Sequence, residues 1–340
     1  MKVLVTGANG FVGSNLCEGL IKKGYNVRGL VRNTSDLSLI RNLNVELTYG
    51  ELGNIESIEG AMKGMDIVYH VAALSSDWGP LELFLRTNVG GTRNVLGVAR
   101  KSNLKKFVYI SSVVVHGFES KVDVDENSSF TDTPFPYCIS KKKAEELVWE
   151  YYNKYKLPIT IIRPGNVFGP RDRVTFLKIA EAIDKGYMPY VKGGKAITCL
   201  TYIENLVDAI ILAGESEKAI GQAYIITDGT KVTWREFAEA IAKEMRRKKP
   251  FLSFWGPFAY FIAWMVEAGN RILKREKRPL ITRYLVTQVR SNFHFSIEKA
   301  KKELGYNPRI SFEEAIRRSV KWYLNQKEGK PPLDVHYLTR

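Results

Sequence analysis

Short apolar runs alternate along the first half of the chain with longer segments whose apolar residues recur at helical spacing. The runs are rich in β-branched and aliphatic residues, which predicts buried strands of a parallel sheet. In segment 14–23, Leu16, Cys17, Leu20 and Ile21 define one apolar helix face. The repeated β–α order predicts a doubly wound α/β fold. Strands are predicted at 2–5, 25–32, 45–49, 66–73 and 107–110, and helices at 14–23, 55–62 and 83–102.

The turn between the first strand and the first helix contains three evenly spaced glycines, Gly7, Gly10 and Gly13. Gly7 permits a tight reversal, Gly10 lets the backbone approach a pyrophosphate, and Gly13 lets the helix pack close to the strand. The helix N-terminus offers unpaired N–H groups and partial positive charge to phosphates. The alternative is an ordinary glycine-rich turn. Because the glycines lie between a strand and a helix, we predict a dinucleotide site.

The end of the second predicted strand bears on which nicotinamide cofactor binds. An acidic residue at this place suits the ribose hydroxyls of NAD, whereas an arginine suits the 2′-phosphate of NADP. Arg32 stands there, and the nearest acid is Asp36. A guanidinium binds phosphate well through two hydrogen bonds. The sequence therefore favours NADP over NAD, with a solvated surface role for Arg32 as the alternative.

Tyr137 and Lys141 lie four residues apart in a segment that keeps one apolar helical face. Side chains at this spacing share a face of a helix. A phenol titrates near pH ~10, and a nearby ammonium stabilises the phenolate and brings it toward the working range. Ser112 follows a predicted strand and is placed to hydrogen-bond a substrate oxygen as charge develops. The combination predicts hydride transfer between a carbinol carbon and a nicotinamide.

Two other sets of reactive side chains are interpreted as structural. His70 follows an apolar run, where a histidine is more often packed than catalytic. Cys17, Cys138 and Cys199 are far apart and have neither metal nor redox spacing. We therefore expect no metal site and a reducing compartment.

The composition is that of a globular protein with a substantial core, since 45% of the 340 residues are hydrophobic. The net charge of +15 permits anionic partners, but no recognised nucleic-acid module is present, and no nucleic-acid partner is expected. The chain starts with its first predicted strand, which leaves no room for a signal peptide. A cytoplasmic location is the expectation.

Several motifs together resemble the extended short-chain dehydrogenase/reductases, the epimerase/dehydratase superfamily. The matching segments are 6–13, 70–73, 88–92, Tyr137 with Lys141, and 163–170. The resemblance covers essentially the whole chain. It implies a Rossmann dinucleotide-binding domain over 1–165 and a smaller, mostly helical substrate-binding region over 166–340. Segment 199–228 is expected to return and pack on the Rossmann domain, and a homodimer is expected by resemblance alone.

The resemblance also implies roles for individual residues. Tyr137 corresponds to the catalytic acid/base and Lys141 to its electrostatic partner, which also binds the nicotinamide ribose. Ser112 corresponds to the third catalytic member, with Ser111 as the alternative. Glu51 stands where the family usually has an aspartate near the adenine. The implied cofactor-binding set is Gly7, Asn9, Gly10, Phe11, Val12, Gly13, Arg32, Glu51, Leu52, Ala72, Ala73, Asn88, Ser111, Tyr137, Lys141, Pro164 and Val167.

Within the superfamily, segments 202–209 and 223–229 look like the 3β-hydroxysteroid dehydrogenase, dihydroflavonol reductase and hopanoid-associated branches. This implies a hydrophobic substrate that is steroid-, isoprenoid- or acyl-like. Nucleotide-sugar enzymes of the family tend to place an arginine before the strand at 200–203, where this chain offers only Lys192 and Lys195.

Three functions remain open at this point. The first is an NADP(H)-dependent oxidoreductase that interconverts a ketone and a secondary alcohol. The second is a nucleotide-sugar epimerase or dehydratase with tightly bound NAD. The third is a cofactor-sensing or scaffolding protein, against which the intact pair Tyr137 and Lys141 argues, because a sensor does not need them.

Segment 251–266 is nearly all apolar and is flanked by the basic segments 246–249 and 271–278. It is shorter than the ~20 residues that a membrane span needs, and Pro257 interrupts it. One interpretation is a helix over 251–274 that lies on an anionic membrane surface; the other is a helix that covers the substrate pocket or forms a dimer interface. One predicted face carries Phe258, Phe261, Ile262, Met265 and Ile272, and the opposite side carries Glu267, Asn270, Arg271 and Lys274.

Overall fold

The computed structural model describes residues 1–119, 121–273 and 277–329. The strands are β1 (Lys2–Thr6), β2 (Asn26–Val31), β3 (Val45–Tyr49), β4 (Ile67–His70), β5 (Lys106–Ile110), β6 (Lys121–Val124), β7 (Ile159–Pro164), β8 (Asn166–Phe168), β9 (Tyr190–Val191), β10 (Leu200–Tyr202), β11 (Gln222–Ile226), β12 (Ser253–Phe254) and β13 (Phe293–Phe295). The helices are α1 (Phe11–Lys22), α2 (Ile55–Met62), α3 (Leu81–Phe84), α4 (Gly91–Ala99), α5 (Pro136–Tyr155), α6 (Phe176–Asp184), α7 (Ile203–Glu215), α8 (Trp234–Glu244), α9 (Gly256–Ile272), α10 (Arg283–Arg290), α11 (Glu298–Leu304) and α12 (Phe312–Lys327).

The main sheet has seven parallel strands in the order β11-β7-β5-β4-β1-β2-β3. Successive strand residues point to opposite faces. Accordingly, Val3 and Val5 pack in the cluster that includes α1 and α7, whereas Leu4 packs with α2, α4 and α5. Helices therefore cover both faces, as the apolar strand runs predicted. The doubly wound parallel fold is confirmed.

Segment 199–228 contributes to both parts of the molecule. β10 pairs with β8 outside the main sheet, and β11 adds the outermost strand beside β7. Between them, α7 packs against α1, and a Cβ on Gly19 would lie only 2.5 Å from Val207 Cγ1. The boundary between the two predicted regions is thus crossed by a strand that completes the sheet.

The boundaries of several elements differ from the sequence expectations. α1 begins at Phe11, within the glycine segment, rather than at residue 14. β4 ends at His70 rather than 73. The helix predicted at 83–102 runs from Leu81 to Ala99 and contains a wide π-helical turn at Leu85–Gly90.

The remaining strands form three two-stranded parallel pairs, β8 with β10, β9 with β12, and β6 with β13. Helices α9 and α10 pack together beside them through Ala259, Ala263 and Val286. In the part of the chain that the structure describes, no helix has the length and apolarity to cross a bilayer. Lys274 and the tail after residue 329 lie outside the described residues.

Candidate active site

The candidate site lies where the strand order of the sheet reverses. From β1 the chain proceeds outward to β2 and β3, and then returns to place β4 on the other side of β1. Ligands of open α/β sheets bind at the carboxyl ends of the strands at such a reversal. Predicted cofactor residues follow the carboxyl ends of several strands: Gly7 after β1, Arg32 after β2, Glu51 and Leu52 after β3, Ala72 and Ala73 after β4, Ser111 after β5, and Pro164 and Val167 at β7 and β8.

The glycine turn fits a dinucleotide. Gly7 has a φ of +68°, and a Cβ on Gly13 would lie 2.1 Å from the Gly7 carbonyl oxygen. Only glycine at position 13 therefore lets the helix lie this close to the turn. Gly10 precedes α1 without a side-chain cap, so that the first N–H groups of the helix, from Phe11 and Val12, are suited to a phosphate.

His70 is enclosed by threonine hydroxyls at the reversal point. Thr6 Oγ1 accepts the Val71 and Ala72 N–H groups at 3.2 and 3.1 Å and lies 2.8 Å from His70 Nδ1. His70 Nε2 lies 3.0 Å from Thr92 Oγ1. Burial, and then the charge of Lys141, lower the pKa of His70 to about 3. This arrangement supports the structural interpretation, with His70 a neutral link between β1, β4 and α4.

The loop after β2 brings an arginine from the other half of the chain into the site. Arg32 is exposed directly after the strand. The Asp36 carboxylate accepts a hydrogen bond from Arg173 Nη1 at 2.8 Å and from Ser38 Oγ at 2.9 Å. Hydrogen bonds from the Ser38 backbone and from Arg173 lower the pKa of Asp36 to about 2. Asn9 Nδ2 donates to the Asp36 carbonyl at 3.4 Å, which ties the glycine turn to this loop.

Asn88 holds the loop after β4. Its Oδ1 accepts the Leu74 N–H at 2.7 Å, and its Nδ2 donates to the Leu74 carbonyl at 3.1 Å and to Ser140 Oγ at 2.9 Å. Asn88 lies in the π-helical turn, a feature that is frequent at functional sites. The Asn88 amide therefore holds this loop against α5.

The two predicted cofactor residues after β3 lie in different surroundings. Glu51 is exposed, and Leu52 packs on Gly91.

Ser112 and Ser75 both lie beside Tyr137. Pro136 begins α5, where its fixed φ suits the first helical turn, and this places Tyr137 at the mouth of the crevice. The Ser75 and Ser112 hydroxyls lie close to the Tyr137 hydroxyl. Burial raises the pKa of Tyr137, and these two neighbouring hydroxyls oppose that effect. The phenol thus has two serine hydroxyls beside it.

Lys141 lies one turn further along α5 and is buried. Its Nζ donates to the Ile110 carbonyl at 2.7 Å and lies 5.3 Å from the centre of the Tyr109 ring. Burial lowers the pKa of Lys141 to about 8, while the charge of Glu145 opposes this. The side chain is therefore still mostly an ammonium at neutral pH, in the interior one helical turn along α5 from Tyr137.

Ser111 does not point into the crevice. Its hydroxyl donates a short hydrogen bond to Glu145 Oε2. Arg163 binds the same carboxylate from the other side, with Nε and Nη2 at 3.0 and 2.6 Å from Oε1. Arg163 also lies 3.3 Å from His116 Nε2. Of the two serines after β5, Ser112 is thus the one beside Tyr137, and Ser111 belongs to the support beneath Lys141.

The side of Tyr137 away from Lys141 is aromatic. Tyr284, from α10, lies with its ring centre 6.4 Å from Tyr137, 5.4 Å from Phe135 and 5.2 Å from Phe118. Asp77, in the loop after β4, accepts hydrogen bonds from Arg278 Nη2 and Thr282 Oγ1, both at 2.6 Å. These hydrogen bonds hold the start of α10 against the loop after β4.

Sequence reasoning missed Ser75, Tyr284, Asp77 and Arg173, and only Ser75 had a signal that could have indicated its place. Ser75 follows the segment 70–73 by two residues, so a loop at the sheet reversal was its expected place. Tyr284 and Asp77 belong to no motif and are brought together only by the fold.

Comparison with known proteins gives the same class. The NAD dependent epimerase/dehydratase family profile matches residues 3–227. A 2-alkyl-3-oxoalkanoate reductase from Stenotrophomonas maltophilia is 30% identical over 326 residues, which cover 94% of this chain and 98% of that protein. A 3-beta-hydroxysteroid dehydrogenase from Mycolicibacterium neoaurum is 31% identical, covering 95% and 91%. The chain belongs to the NAD dependent epimerase/dehydratase family.

A solved structure agrees with this assignment. The structure of an epimerase from Methanothermobacter thermautotrophicus superposes with a TM-score of 0.80 at 27% identity, covering 96% of this chain and 93% of that one. The protein is thus an NAD(P)-dependent oxidoreductase of the extended short-chain dehydrogenase/reductase type, and the predicted class is confirmed.

Proposed function

We propose that the protein interconverts a ketone and a secondary alcohol on a hydrophobic substrate, with NADP(H) as the cofactor. The observation that carries the proposal is the setting of Tyr137. Its hydroxyl lies beside Ser112 and Ser75, Lys141 is buried one helical turn away, and its other side faces the aromatic ring of Tyr284.

The residues divide the chemistry between them. Ser112 donates a hydrogen bond to the substrate oxygen and orients it. In the reductive direction, Tyr137 Oη gives its proton to that oxygen, and Lys141 Nζ stabilises the phenolate that remains. Ser75 keeps the phenol in place. When bound, the nicotinamide supplies or accepts the hydride. The glycine turn and the first turn of α1 would hold the pyrophosphate.

The aromatic wall supports a hydrophobic substrate. Phe118, Phe135 and Tyr284 stack edge to face, and the half-buried Phe135 and Tyr284 would present apolar surface to a substrate body. The names of the two relatives compared above denote an oxo group on an alkyl-substituted alkanoate and a hydroxy group on a steroid, both of which have large apolar parts. A steroid-, isoprenoid- or acyl-like substrate fits both observations.

The loop after β2 supports NADP. A 2′-phosphate would be repelled by a free aspartate, but Arg173 already neutralises Asp36. Arg32 is exposed at the position where a guanidinium binds that phosphate. The two arginines together make the loop cationic.

The test is NADPH oxidation with 2-alkyl-3-oxo acids, 3-oxosteroids and long-chain ketones, using wild type and Tyr137→Phe. We expect turnover of at least one class and a loss of about 10²–10⁴-fold in the variant. Tyr155→Phe, at the far end of α5, is the matched control and should keep full activity. Purified protein that carries NAD and shows no net turnover would instead favour the alternative, an epimerase or dehydratase that returns its hydride.

A further inference from the structure

Helix α9 displays its apolar side chains outward. Phe258, Phe261, Trp264, Met265 and Ile272 are exposed, and Ile272 retains 81% of its accessible surface. Trp255, just before the helix, retains 73%. These six residues define a surface that we call the docking face. Single exposed apolar residues are ordinary, but a contiguous patch of aromatic and aliphatic side chains marks an interaction site.

The inner side of α9 explains why the helix has this orientation. Small residues, Ala259 and Ala263, allow α9 to approach Val286 of α10 closely. One turn further, the buried Glu267 carboxylate accepts hydrogen bonds from the Arg283 backbone N–H and from its Nε, both at 2.7 Å. Rotation of the helix to bury its aromatic side would expose the alanines and break this ion pair. The outward apolar face is therefore fixed by the packing.

The electrostatics indicate what covers the docking face. Segment 246–290 contains eleven lysines and arginines against two acidic residues. Of these two, Glu267 is paired beneath α9, and Glu276 lies outside the described residues. Acidic residues outside the segment pair with Arg247, Lys249 and Arg278, and the other basic residues still leave the segment positively charged. A second copy of the chain would bring the same positive charge to the contact and be repelled. The basic residues would attract an anionic lipid surface, and the exposed aromatic side chains would insert into its interfacial region.

We propose that the docking face binds the anionic surface of a lipid bilayer, with α9 lying in the interfacial plane. The same face is joined to the candidate active site. α9 packs on α10, which carries Tyr284, and the Arg271 guanidinium lies 5.7 Å from the centre of the Trp78 ring in the loop after β4. A substrate dissolved in the bilayer would thus enter from the membrane side; this second step rests on the proposed function.

The test is cosedimentation with phosphatidylcholine vesicles, with and without about 30% phosphatidylglycerol, an anionic lipid content chosen to give a strong surface potential. We expect binding to the anionic vesicles, a blue shift of tryptophan emission from Trp255 and Trp264, and weaker binding as salt rises from about 50 to about 500 mM. Phe258→Ser combined with Phe261→Ser should lower the partition coefficient at least about ten-fold, since two buried aromatic rings are lost from the interface. The control is Ile55→Ser combined with Tyr187→Ser, which replaces two equally exposed apolar residues elsewhere and should bind as wild type.

Three results would overturn the proposal: wild type that stays in solution with anionic vesicles, equal binding by the two double variants, or a lipid-free dimer by sedimentation velocity that the α9 variant dissociates without any vesicle binding. Circular dichroism of each variant reports on folding, and turnover is measured separately. A failure of the proposed function would therefore appear as absent turnover, while the vesicle assay would still test membrane binding.

Discussion

Arg163 and Glu145 form a buried ion pair beneath the candidate active site, with Nη2 and Oε1 2.6 Å apart. Glu145 lies one helical turn after Lys141 on α5, and Arg163 comes from β7. The remaining Glu145 oxygen accepts the Ser111 hydroxyl. The pair thus joins three elements, α5, β7 and the segment that follows β5, beneath the candidate active site.

The first prediction concerns this pair. Glu145→Gln keeps the size of the side chain but leaves Arg163 as an uncompensated buried charge. Removal of one partner from a buried pair costs about 3–5 kcal/mol, so the free energy of unfolding in urea should fall by roughly this amount. Glu298→Gln breaks the exposed pair with Lys301 and serves as the control, with little measurable effect. Comparable losses of unfolding free energy in both variants would show that the buried pair stabilises the fold no more than the exposed pair does.

The fold could be predicted because the sequence signals for it lie within single strands, helices and turns. Runs such as 2–5 and 107–110 are apolar on both faces, and only a sheet covered on both sides buries them. The glycine turn and the pair Tyr137 and Lys141 could also be predicted, since each is recognised from the spacing of residues within one short segment. The predicted element boundaries were less accurate, because side chains that are distant in sequence help to decide them. Asn88, for example, hydrogen-bonds the Leu74 backbone, and β4 ends before that residue.

The residues that escaped prediction owe their positions to contacts between distant segments. Tyr284 reaches Tyr137 only because Asp77 holds the start of α10, some 200 residues further along the chain. Arg173 meets Asp36 in the same way. The helical period of α9 separated an apolar side from a polar one, but it could not say which of them packs inward, and Glu267 of the predicted polar side is buried. Glu267 and Arg283 decide that, and their pairing is invisible in the sequence.

The second prediction tests the cofactor preference at Arg32. Arg32→Ala should weaken NADPH binding about 10–100-fold, the value of one or two charge-assisted hydrogen bonds, and leave NADH binding unchanged. Calorimetric titration of both cofactors measures this. Arg41→Ala removes another exposed arginine from the same loop region and should alter neither affinity. NADH that binds as well as NADPH to wild type would remove the assigned role of Arg32.

The third prediction separates Arg173 from Arg32. Arg173→Ala should uncover the Asp36 carboxylate and weaken NADPH binding through repulsion of the 2′-phosphate. Asp36→Asn in the same chain should then restore most of the affinity, because the repelling charge is gone. Such rescue in a double-mutant cycle identifies coupling between the two side chains. An Arg173→Ala defect that persists unchanged in the double variant would mean that Arg173 acts through some other contact.

The fourth prediction distinguishes the two serines beside Tyr137. Ser112→Ala should lower kcat by about 10²–10³-fold, since it removes the hydrogen bond that we assign to the developing oxyanion. Ser75→Ala should cost less, because Ser75 is expected to hold the phenol rather than the substrate. Single-turnover measurements with saturating NADPH report the chemical step directly. The reverse order of effects would exchange the roles of the two hydroxyls.

The last prediction follows from the lowered pKa of Lys141. The proton on Nζ is lost as the pH rises through about 8, and the Tyr137 phenolate then loses its stabilising charge. Reductive kcat/KM should therefore be constant at lower pH and fall as the pH rises through about 8. Since the charge of Glu145 raises the pKa of Lys141, Glu145→Gln should move this descending limb to lower pH, provided that the variant still binds NADPH. Lys143→Met, on the exposed side of α5, should leave the profile unchanged. A profile that stays level well above pH 8, or a limb that does not move in Glu145→Gln, would show that another group controls the reaction.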